Sequence, residues 1–134
     1  MTRLGTIRIR AVLFAAAVAL LATGCMAAAV AGAGAAAGIH MTGNNASSTV
    51  QGTLASVDAR TQAVLSEMGI AVEERKEGAD GVEYSGTGNG MEVHVELEPA
   101  GDGMTQVKAS ARKNPVEWDN AYARDIVQRI VQRS

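Results

Sequence analysis

The stretch MEVHVELEPAGDGMTQVKASAR, residues 91–112, decides the fold. Its first part alternates without a break: Met91, Val93, Val95 and Leu97 fall on one side, and Glu92, His94, Glu96 and Glu98 on the other. Successive side chains of a strand point to opposite faces, so this is a strand with one buried and one solvated face. Pro99 to Gly103 interrupts the pattern with turn residues, and the segment from Thr105 to Arg112 resumes it with Val107, Ala109 and Ala111 inward. A connection this short makes the two strands antiparallel. A loop spanning Pro99 to Gly103 sets His94 opposite Lys108.

Working towards the N-terminus, Asn89-Gly90 is a type I′ hairpin signal, because both of its central positions need positive φ. It joins Met91 to a strand GVEYSG with Val82 and Tyr84 inward, and IAVEERKE supplies another with Ile70 and Val72 inward. Before it, SVDARTQAVLSEMG carries Val57, Val64, Leu65 and Met68 on one helical face, with Ser56 as N-cap and Asp58 in the first turn. Gly69 suits the left-handed residue that closes such a helix, and Ile70 the hydrophobic contact after it. TVQGTL, Thr49 to Leu54, is expected as a first strand with Val50, Gly52 and Leu54 on one side.

Working towards the C-terminus, Asn114 offers a cap with Pro115 at the first helical position and Glu117 at the third, and Asp119 or Asn120 offers a second start. Trp118, Tyr122, Ile126 and Ile130 recur every fourth residue, joined by Val127 and Val131, so a final amphipathic helix is predicted. Trp118 and Tyr122 are expected in the core or at its edge rather than as a ligand platform. The fold expected is α+β: a two-layer sandwich in the order β-α-β-β-β-β-α, with an antiparallel sheet of four to five strands and two helices on one face. A fragment beginning at Thr49 is expected to fold alone.

The first 24 residues are of a different kind. Arg3, Arg8 and Arg10 precede a charge-free apolar run from Ala11 to Ala22, the pattern of a secretory signal too short to span a bilayer. The run ends in Leu21-Ala22-Thr23-Gly24-Cys25, which holds the sole cysteine of the chain. These residues resemble the lipobox of bacterial lipoproteins, with alanine three residues before the cysteine and leucine one position earlier. The resemblance implies diacylglyceryl transfer to the Cys25 thiol and cleavage between Gly24 and Cys25. It also implies attachment to a lipid bilayer, and Met26 in place of an aspartate implies the periplasmic face of an outer membrane. Residues 25–48 are dominated by alanine and glycine and then turn polar, the composition of a tether. Gly34 and Gly38 have the small-xxx-small spacing that lets membrane helices approach closely, a spacing that arises readily by chance in such a tract. The organisation expected is thus a leader (1–24), a lipidated tether (25–48) and a domain (49–134). The whole set of motifs, with Leu97-Glu98-Pro99 through Thr105 as its hallmark, resembles a family of small uncharacterised bacterial lipoproteins. That resemblance carries no activity or catalytic residue.

Charge limits the partners. Of twelve Lys/Arg three lie ahead of Cys25, leaving nine against fourteen Asp/Glu and a formal charge of −5 for the mature chain. Such a balance argues against nucleic acid. The single cysteine excludes an intramolecular disulfide. The best candidate metal ligands are Glu92, His94 and Glu96, with Glu98 next on the same strand face, but a strand face spreads them too far to converge, and a solvated acidic face is the favoured reading. His40 lies in the tether, and no cofactor motif or local triad signature is present. The expectation is a noncatalytic envelope module that binds another protein or the cell wall. The alternative is an envelope enzyme, accessory factor or metal-binding protein using the acidic strand.

Overall fold

A computed structural model describes residues 38–133. Gly24, Cys25, Gly34 and the leader lie outside the described residues, and nothing stands within 4 Å of where a Cβ on Gly38 would be. The elements are β1 (His40–Thr42), β2 (Asn45–Gln51), α1 (Leu54–Glu67), β3 (Ala71–Gly78), β4 (Gly81–Gly88), β5 (Met91–Pro99), β6 (Met104–Asn114), β7 (Glu117–Trp118) and α2 (Asn120–Gln132). The sheet has seven strands, not four or five, in the order β1-β2-β6-β5-β4-β3, with β7 pairing β6. Each pairing is antiparallel. The α+β sandwich stands, and the strand count is corrected.

The alternation in residues 91–112 does what its period requires. Val82 pairs with Leu97 and Leu97 with Val107, and Tyr84 pairs with Val95 and Val95 with Ala109, so two rows of apolar side chains cross β4, β5 and β6. Two helices cover that face: α1 packs on β3 and β5, α2 on β2 and β6, and the helices touch each other. Val57, Val64 and Leu65 of α1 and Ala123, Ile126, Val127 and Ile130 of α2 join the inward strand residues in a single core.

Four local expectations are revised. The strand expected at Thr49 to Leu54 runs instead over Asn45–Gln51 and is preceded by β1, so the fold takes in residues 40–48, which composition assigns to the tether. No hydrophobic alternation marks that segment, because Ala46 and Ser48 are the buried side chains there, small enough for α2 to lie close over β2. Leu54 begins α1 instead of ending a strand, and Thr53 is the N-cap, its side chain accepting from the Ser56 amide at 3.3 Å. Pro115 lies in a turn whose amides at Val116 and Glu117 donate to the Asn114 side chain at 3.1 and 3.0 Å, so α2 starts only after the cap Asp119. Val72 is 44% exposed, since β3 is the sheet edge and a bulge interrupts it between Val72 and Glu74.

The α1 terminus matches the sequence. Gly69 has φ of 69°, its amide donates to the Ser66 carbonyl at 3.1 Å, and the Ile70 amide donates to Leu65 at 2.9 Å. This pair of bonds is a Schellman closure, and the buried Ile70 seals it.

Candidate functional site

The face opposite the helices remains open, and its rows follow from strand register. Arg112, Glu92 and Thr87 form one row, and Ser110, His94, Ser85 and Glu74 the next. Ser47, Lys108, Glu96, Glu83 and Lys76 form the third. His94 therefore lies opposite Ser110, and Lys108 opposite Glu96, two residues away from the register expected. The cause is the turn. Gly101, Asp102 and Gly103 all have positive φ, and the Ala100 amide donates to the Met104 carbonyl at 2.9 Å, so the loop is three residues and pairing continues past Pro99.

Charges on this face satisfy one another. The Arg112 guanidinium forks onto both Glu92 oxygens at 2.8 Å, and Lys108 Nζ meets Glu96 at 3.0 Å. Glu92 also contacts His94 Nε2 at 2.9 Å, while His94 Nδ1 meets Ser85 Oγ at 3.0 Å. His94, then Arg112, hold the Glu92 carboxyl below its ordinary range, and Glu96 raises Lys108. Glu92 and His94 are thus brought together, whereas Glu96 is turned to Lys108. Among the described residues no group of three His, Cys, Asp or Glu could hold a metal ion.

Ser85, His94 and Glu92 reproduce the order hydroxyl, imidazole, carboxylate of a hydrolytic triad. The Ser85 and His94 neighbourhood follows from the two-residue Asn89-Gly90 turn, which pairs Gly88 with Met91 and so Ser85 with His94. An acyl-transfer centre also needs free donors for an oxyanion. Ser85 sits in the middle of β4, whose backbone is laddered to β3 and β5 on either side, and Glu92 is already committed to Arg112. The arrangement is a hydrogen-bond line across the sheet.

A second polar cluster lies under α1. Asp58, 9% exposed, accepts from the Tyr84 hydroxyl and from Arg75 Nη2 at 2.6 Å, and Arg75 Nε donates to the Tyr84 hydroxyl at 3.1 Å. Burial alone would push the Asp58 carboxyl up, but Tyr84 and Arg75 outweigh it and hold it below its ordinary value. Burial, then the Asp58 bond, pushes the Tyr84 hydroxyl up, so it stays a donor. No local pattern marks Arg75, because only its place opposite Tyr84 on the edge strand brings it to Asp58.

Two surface cavities flank the sheet. One, of about 340 Å³, lies at the β3–β4 hairpin, where Glu77, Asp80, Glu83, Glu96 and Glu98 face Lys76 alone. The other, of about 350 Å³, has Asn89 and Met91 from the β4–β5 hairpin on one side and Lys113, Glu117 and Trp118 on the other, closed by Asp119 and Asn120 at the start of α2. Trp118 is placed differently from the expected apolar helical stripe. It lies on β7 opposite Arg112, which stacks on its ring with the guanidinium carbon 5.8 Å from the centroid. It is half-buried yet stands apart from the hydrophobic core, whereas Tyr122 packs against that core as expected.

A family model described as "Protein of unknown function (DUF3568)" matches residues 8–132. No curated protein matches the chain.

Proposed function

The chain belongs to the DUF3568 family of proteins of unknown function, and on that premise we propose, from its own residues, that it is a lipid-anchored envelope protein carrying a noncatalytic binding domain. The observation that carries the proposal is the apolar run closing on Leu21-Ala22-Thr23-Gly24-Cys25, with a thiol just after small residues and no other cysteine in the chain. A diacylglyceryl group on that thiol supplies two acyl chains, and each buried methylene contributes about 0.8 kcal/mol, so the anchor is effectively permanent. Met26 after the cysteine favours the periplasmic face of an outer membrane. The domain then presents its open sheet face and the Trp118 cavity to an envelope protein or to the cell wall. Mutual pairing of Glu92 with Arg112 and of Glu96 with Lys108 supports a recognition surface over a catalytic one. Cells given an alkyne fatty acid provide the test: the wild-type chain is expected to take up label and Cys25→Ser to take up none. Equal labelling of the two would overturn the anchor.

A further inference from the structure

Trp118 is the only tryptophan in the chain, and the core does not use it. A large aromatic normally repays its size by burial, so one held at a cavity wall outside the core calls for another use. Its cavity, about 350 Å³, falls within the span of small-ligand sites, about 300 to 1,000 Å³. The wall around the ring is mostly polar. Asn120, the first residue of α2, and Asn89, pinned at φ of 52° in the hairpin turn, supply two carboxamides that each offer donors and an acceptor. Asp119 caps α2 through one oxygen, accepting from the Tyr122 amide at 2.8 Å, which leaves its other oxygen as an acceptor.

Charge narrows the ligand class. Glu117 and Asp119 stand against one cation, Lys113, and Asp119 already occupies the helix N-terminus, so an anion is disfavoured. A quaternary ammonium wants several aromatic walls, and the lining of this cavity holds a single ring. A neutral ring fits best: its weakly positive C–H face complements the negative face of the indole, and its hydroxyl or acetamido groups meet carboxamides and carboxylate. We propose that the Trp118 cavity binds a neutral hexopyranose unit of an envelope glycan, stacked on the indole and hydrogen-bonded by Asn120, Asn89 and Asp119. This rests on the reading of the domain as a binding module.

Because Trp118 is the sole tryptophan, its fluorescence reports the site directly. The full-length mature chain in detergent is titrated with the N-acetylglucosamine trimer, with the glucose trimer, and with choline as the cationic probe. The expected result is a saturable change with one of the sugars, with Kd of about 1 mM or tighter, and none with choline. Calorimetry should then show binding at least about tenfold weaker in Trp118→Ala and in Asn120→Ala, and unchanged in Gln128→Ala, an exposed position on α2 outside both the open sheet face and the cavity. If Trp118→Ala does not fold, Asn120→Ala carries the comparison. A flat titration with both sugars, saturation by choline, or binding indifferent to the Asn120 substitution each overturns the proposal. Fatty-acid labelling at Cys25 is read separately, so loss of the anchor and loss of the glycan site are distinguishable.

Discussion

Asp58 is the one charged side chain among the described residues that the core buries, and its carboxylate is tied to Tyr84 and Arg75. Hydrogen bonds to a charged group contribute about 1.5 to 3 kcal/mol, so Asp58→Ala should lower unfolding free energy by about that amount in urea titrations. Tyr84→Phe should cost less on its own, and the double variant should fall short of the sum, since both remove one network. Asp58 also sets an acid limit. Its folded-state pKa lies below 3.8, so its contribution is complete above that pH and is lost as pH falls through the folded value. Asp58→Asn should flatten the fall of stability in that window, and an unchanged acid limb would show that other carboxylates govern it. At this scale the expected placing of Asp58 in the first turn is corrected, because α1 starts at Leu54, two residues ahead of the expected cap Ser56, and its first turn holds no acid. The sequence was silent about Arg75, whose contact with Asp58 depends on the register of an edge strand.

Elements were legible where a period ran through them. The final helix is such a case: Ile126 is fully buried at the centre of α2, so Ile126→Ala should cost about 2 to 5 kcal/mol by thermal or chemical unfolding. Trp118→Ala removes a larger side chain and should cost less, because Trp118 does not pack on the core; a greater loss would return it to the packing role its spacing suggests. Gly86 makes the opposite point. A Cβ there would stand 2.3 Å from the Ala71 carbonyl oxygen, backbone that cannot turn away, so Gly86→Ala should cost at least about 1 to 3 kcal/mol and loosen β3 from β4. Hydrogen exchange along β3 would report it. Nothing in the local sequence marks this contact, which arises only where the bulged edge strand crosses β4.

For the whole molecule, the division between tether and domain is what the sheet redraws. Residues 45–48 pair with β6 through Ala46, Ser47 and Ser48, and β1 pairs in turn with β2. A fragment from residue 38 should therefore unfold cooperatively at the midpoint of a longer one from residue 25. One from Thr49 should be less stable by at least about 2 kcal/mol, from lost ladder bonds at about 1 kcal/mol each and from a core opened beside α2. Equal midpoints would return those residues to the tether. The α+β class, the antiparallel order of the central strands and the helix closure at Gly69 could all be read from residues close in the chain, because period, turn and cap are local. The seven-strand count, the His94 to Ser110 register, the Asp58 to Arg75 pair and the Trp118 cavity could not. Each depends on which distant segments meet, and small polar residues such as Ala46 and Ser48 carry no sign of burial until a helix is laid over them.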